Sequence, residues 1–140
     1  MFTRLSLTCA LLLSATAATA DFCTDVRALV ATAQAGFVEA PAPLTGSQSC
    51  RMTMGLGGVK AYHCAWEFEY RAEVALSTFA RFDTELAACF ETTSQHDQGV
   101  NHPDFYDLRE YTVDGAVVRV SLKDKGALQL TYVFVAVEGL

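Results

Sequence analysis

Residues 50–71 read CRMTMGLGGVKAYHCAWEFEYR, and this stretch decides the fold. On its first arm Cys50, Met52, Met54 and Leu56 alternate with Arg51, Thr53 and Gly55. On its second, Tyr62, Cys64, Trp66, Phe68 and Tyr70 alternate with His63, Glu67, Glu69 and Arg71. A period of two with apolar residues on one side marks a strand with one buried face. Two such arms around Gly57 and Gly58 predict an antiparallel hairpin. Parity sets its register, because both apolar sets carry even numbers and must share a face. A two-residue Gly57-Gly58 turn pairs 56 with 59 and sets opposite faces together. A three-residue loop, Leu56-Gly57-Gly58, pairs 55 with 59 and puts Gly58 at the left-handed third position such loops require. Cys50 then stands opposite Cys64, and a disulfide between them is expected.

Helices are expected on either side of the hairpin. Asp21 to Phe37 reads as one, capped by Asp21 or Thr24 and closing near Gly36. Cys23, Val26, Val30, Ala33 and Phe37 form its buried stripe. Pro41, Pro43 and Gly46 mark the loop that follows. Glu73 to Phe90 reads as the second helix, with Ala75, Phe79, Phe82, Leu86 and Cys89 stepping by four and three. Arg81 and Glu85 lie four apart on its other side and suit a weak pair. Cys23 and Cys89 sit on the two buried stripes, so side-by-side helices on one sheet bring them together as the second disulfide.

Beyond a polar, aperiodic stretch over 91–105, three more strands are expected. Tyr106 to Val113 meets Ala116 to Lys123 through Asp114-Gly115, a type I′ turn signal that pairs 113 with 116. Tyr111 then faces Val118 on the core side, and Glu110 faces Arg119 on the other. The last strand, Leu128 to Val137, follows a three-residue loop of Asp124-Lys125-Gly126. That loop aligns Leu128 with Leu122, Leu130 with Val120 and Tyr132 with Val118. Val133, Val135 and Val137 then alternate with the core set, and Val117 faces Val133 on the outer side. A central strand explains this two-sided apolar character better than a partner surface does. The order α-β-β-α-β-β-β fits one five-stranded antiparallel sheet with two helices on one face, a single small α+β domain.

Residues 1–20 have the parts of a secretory signal. Arg4 gives a positive start, Leu5 to Ala18 is apolar or small, and Ala18-Thr19-Ala20 is a small-x-small cleavage site. The mature domain is therefore expected over 21–140, in the periplasm or secreted, and off the membrane after cleavage. Cys9 leaves with the signal, and the even count of Cys23, Cys50, Cys64 and Cys89 reads as two disulfides in an oxidising compartment. A four-thiolate zinc site would show closely spaced cysteine pairs, which are absent. Losing Arg4 takes Lys+Arg from 10 to 9 against 16 acidic residues, a net charge of −7. Such a surface argues against nucleic acid as a partner.

No catalytic or cofactor-binding pattern stands out. His96, Asp97, His102 and Asp104 crowd one loop and are the weak candidates for a metal. No helical or strand spacing sets two of them on one face, and a solvated polar loop is the simpler reading. Ser47, Ser49, Ser77, Ser94 and Ser121 sit in no nucleophile motif. Glu67 and Glu69 share a strand face with His63 and Arg71, which reads as a wet sheet face rather than a glycosidase pair. Trp66, Phe68, Tyr70, Phe79 and Phe82 could line an apolar pocket between helix and sheet, but a domain this small needs them as core. Gly55, Gly57 and Gly58 lack the lysine and helix of a phosphate loop. What remains is a small exported module without enzymatic machinery that binds a protein or peptide, an inhibitor being one such module. The alternative is a binder of a small molecule or metal through the helix–sheet cleft or the 91–105 loop. The surfaces to examine are the wet sheet face, that loop and the last strand.

Overall fold

The computed structural model describes residues 21–97 and 105–140. The proposed signal with Cys9, and the candidates His102 and Asp104, lie outside the described residues, as do the side chains of His96 and Asp97. Helix α1 spans Phe22–Gln34 and α2 spans Glu73–Phe90. The strands are β1 (Ser49–Met54), β2 (Lys60–Glu69), β3 (Gln95–Asp97), β4 (Tyr106–Val113), β5 (Ala116–Lys125) and β6 (Leu130–Gly139). They form one antiparallel sheet in the order β1-β2-β6-β5-β4-β3. The five long strands and two helices follow the expected order, and both helices pack on one face. Among the described residues, no helix is long and apolar enough to cross a membrane.

The Asp21 carboxylate caps α1 by accepting from the Cys23 N–H. The helix ends three residues sooner than its apolar stripe. Gly36 and Phe37 take positive φ, and their N–H groups return to the carbonyls of Ala33 and Thr32. This paired closure satisfies two orphan carbonyls and folds Phe37 back onto the core. On α2 the stripe Ala75, Phe79, Phe82, Leu86 and Cys89 is buried as the spacing predicts. Phe22 stacks on Phe82 at 4.2 Å, and Trp66 meets the same ring edge-on at 4.7 Å. Each large side chain buried here contributes about 1.5–3 kcal/mol. Arg81 and Glu85 pair at 3.0 Å on the exposed side.

The first hairpin keeps the predicted register, with Cys50 opposite Cys64 and bonded to it. Leu56, Gly57 and Gly58 form the turn, and Gly58 has φ +79°. Cys23 and Cys89 are bonded, tying α1 to α2. The second hairpin also keeps its register, Tyr111 facing Val118 and Glu110 facing Arg119 with 2.7 Å between carboxylate and guanidinium, but the turn is not type I′, since only Gly115 of its two central residues has positive φ.

The register of the last strand does not. Leu122 pairs with Val133, Val120 with Val135 and Val118 with Val137. The shift from the expected alignment is odd, so every side chain of β6 changes face. Val133, Val135 and Val137 are core, while Tyr132 and Phe134 stack at 5.4 Å on the outer face. Val117 lies opposite Glu138 rather than Val133. The cause is the turn. β5 runs on to Lys125, which pairs with Leu130, and residues 126–129 make a four-residue connection. Its left-handed residue is Gln129 (φ +54°), not a glycine, and the Gln129 amide donates to the Gly126 carbonyl at 2.6 Å. β6 is the central strand, between β2 and β5. A second departure lies in the 91–105 stretch, where Gln95–Asp97 adds to the free edge of β4 as a sixth strand. Its three polar residues show no alternation from which to read a strand.

Candidate functional site

Several sequence candidates outside the 96–104 stretch take ordinary structural roles. The main chains of His96 and Asp97 pair with Arg109 and Leu108 on β4. Among the described residues, no three His, Cys, Asp or Glu side chains gather closely enough to hold a metal. The hydroxyls of Ser47 and Ser77 donate to main-chain carbonyls three residues back, at Leu44 and Val74. Ser94 hydrogen-bonds Tyr111. Trp66, Phe79 and Phe82 belong to the buried core, with Phe68 packed at its margin. Glu67 and Glu69 are exposed on the outer face, as read from sequence. Arg71 leaves that face: its φ of +57° swings the chain round, and its guanidinium pairs with Asp124.

The outer face carries a row of charges across the sheet. Arg119 of β5 bridges Glu110 of β4 at 2.7 Å and Glu138 of β6 at 3.0 Å. His63 lies in the same row, two strands from Arg119 and opposite Arg51. Partial burial, then Arg51 and Arg119, hold its pKa below the usual 6.5, against a smaller opposing pull from Glu138. At neutral pH His63 is an uncharged imidazole. Within the row, Arg119, Glu110 and Glu138 are paired with one another.

Strand β1 is different. A helix with its side chains is about 10 Å across, and strands lie about 4.8 Å apart. Two helices therefore cover about four strands. The helix packing here falls on β2, β4, β5 and β6. β1 overhangs, so Met52 and Met54, on the core-facing side by parity, are exposed, Met54 to 70%. Leu56 (99%) and Val59 are exposed in the adjoining turn, and Val38 is exposed next to Phe37 in sequence. Phe37, Met52, Thr53, Met54 and Lys60 line a shallow hollow of about 280 Å³ beneath the edge. Phe37 and Lys60 also border a second hollow of about 320 Å³, with Val59 and Leu140. Exposed apolar surface gathered in this way makes the β1 edge the candidate site.

The main chain of β1 completes the arrangement. The Gly55 N–H donates to Val59 at 2.8 Å, and the Cα atoms of Cys50 and Cys64 are 4.1 Å apart, the spacing of a non-hydrogen-bonded pair. Odd-numbered residues of β1 thus direct their main-chain groups at β2. Cys50, Met52 and Met54 direct theirs outward, and among the described residues no strand pairs there. The strand has no proline, and its charge is local and positive, Arg51 on the outer side and Lys60 opposite Met54, in a chain of net charge −6. Sequence reading had placed Met52 and Met54 in the core. Helix width against strand count is the signal that would have exposed them. No protein family model matches the chain, and no curated protein or solved structure is significantly similar to it.

Proposed function

We propose that this domain binds an extended peptide segment of a partner protein by strand addition along β1, in an oxidising compartment, periplasmic or secreted. The observation that carries the reading is the open, proline-free edge of β1 beside exposed Met52 and Met54. An added strand gains main-chain hydrogen bonds from Cys50, Met52 and Met54, and its alternate side chains enter the hollow over Phe37. Methionines adapt to differing apolar shapes, which suits a site that reads pattern rather than one sequence. Arg51 and Lys60 select acidic over basic neighbours. The occupant is thus a segment alternating apolar residues with at least one Asp or Glu. A second copy of β1 would bring Arg51 near its own counterpart and fits less well. The two disulfides support the compartment.

The test is a displayed library of alternating apolar–acidic heptapeptides, selected on the folded protein. Met52→Pro removes one outward N–H without touching the β1–β2 ladder. Enriched peptides should bind this variant at least about tenfold more weakly, the loss of about 1.4 kcal/mol, while its thermal transition stays close to that of the parent. Selection of peptides that bind both forms equally, or no enrichment at all, overturns the reading.

A further inference from the structure

A second opening lies at the amino-terminal end of α2, over β5 and β6. There Ala72 and Ala75 offer only methyl groups above Leu122 of β5. The space left is about 310 Å³, walled by Ala75, Leu76, Leu122 and Phe105. The Phe105 main chain is fixed by its carbonyl, which accepts from the Asp124 N–H at 2.9 Å, yet its side chain is half exposed. The walls are therefore apolar.

One end of this cleft is polar and built. Asp124 borders it and is only 4% exposed. The Thr131 hydroxyl donates to one carboxylate oxygen at 2.7 Å, and Arg71 Nε donates to the other at 3.0 Å. The Arg71 main-chain N–H donates to the Thr131 hydroxyl at 2.8 Å. Arg71 reaches both partners from the left-handed region, which is uncommon for a residue with a Cβ. A carboxylate has about four acceptor positions, and these two side-chain bonds leave room for another donor.

We propose that the cleft binds a small, neutral, mainly apolar molecule carrying one hydroxyl or amide donor. Its apolar body lies between Leu76, Leu122 and Phe105, and its head donates to Asp124. Charge sets the class. An ammonium head would meet the Arg71 guanidinium, and a carboxylate would meet Asp124, whereas a neutral donor leaves that ion pair intact. Size follows from the volume, which holds about ten water-sized groups at about 30 Å³ each. Cavities of a few hundred Å³ with apolar walls and few polar groups are the usual form of small-ligand sites.

Titrating the isotope-labelled, disulfide-intact protein with phenethyl alcohol tests this by amide chemical shifts. Saturable shifts are expected at Ala72, Ala75, Leu76, Phe105 and Leu122, with phenethylamine and phenylacetate each binding about tenfold more weakly. Ala72→Leu narrows the mouth and Leu76→Glu makes one exposed wall polar; either should abolish saturation in a folded protein. The proposal is overturned by absent or non-saturating shifts, or by equal affinity in both variants. It is also overturned if the charged analogues bind as well as the alcohol. Through-space contacts from residues 98–104 to Ala75 in the free protein would assign the cleft to the chain itself, and would overturn it too.

Discussion

The hydroxyl of Tyr111 lies 2.7 Å from the main-chain carbonyl of Asp83 and also bonds the Asp83 carboxylate, tying β4 to the middle of α2. Tyr111 is 1% exposed. Burial first, then the bond to Asp83, pushes its pKa well above the usual 10. Burial raises that of Tyr62 as well. Above about pH 10 the unfolded phenols lose protons that the folded ones keep, so stability falls as pH rises from there. Urea unfolding between about pH 7 and about pH 11 should show the fall. Tyr111→Phe should cost about 1–2 kcal/mol at neutral pH and make the alkaline slope shallower; an unchanged slope would contradict the assignment.

His63 gives the opposite limb. Its folded pKa lies below 6.5, chiefly through burial and then through Arg51 and Arg119. The unfolded state therefore takes up the proton first, and this contribution to stability is lost as pH falls through about 6.5. The imidazole proton resonances should titrate below 6.5, and in Arg51→Gln the midpoint should move upward. A midpoint at or above 6.5 in the parent would refute this.

The two disulfides should differ in worth. Cys50 and Cys64 are separated by 14 residues and Cys23 and Cys89 by 66. The chain-entropy account gives about 3 kcal/mol for the first and about 4 for the second. Paired Cys→Ser variants, compared by guanidinium denaturation, should lose stability in that order.

Gly139 ends β6 where α1 crosses it. A Cβ there would stand 2.8 Å from the Ala33 carbonyl oxygen, a main-chain atom with little freedom to move. Gly139→Ala should cost about 1–3 kcal/mol, read as a lowered denaturation midpoint. An unaffected midpoint would mean that the helix and strand do not approach so closely.

Both two-stranded hairpins were legible because each turn advertises itself. Gly57-Gly58 and Asp114-Gly115 put glycine where φ is positive, and alternation on both arms then fixes the pairing. The β5–β6 turn carries a glycine too, but Gly126 is not its left-handed residue. Gln129 is, and glutamine gives no such warning. Since β6 is apolar on both sides, alternation there could not correct the error. The edge site was hidden for another reason. Parity says which side of the sheet Met52 faces, whereas the reach of the helices, a tertiary quantity, says whether that side is covered. Arg71, Asp124 and Thr131 meet only after the turn of Arg71 and the true register of β6 are known, so no spacing in the chain announces them.

The last strand to be described is the middle one of the sheet. β6 stands between β2, from the first half of the chain, and β5, from the second, and it pairs with both along nearly its whole length. A chain released only as far as Gln129 owns both helices and both hairpins, yet has two bare strand edges facing one empty slot. Strand pairing joins the halves of the sheet only when the ten-residue β6 enters. Its pairing with β5 is local, across a four-residue turn, whereas its pairing with β2 is distant in sequence, the kind of contact that slows folding. Removal of residues 137–140 would act on the strand that joins the two halves of the sheet.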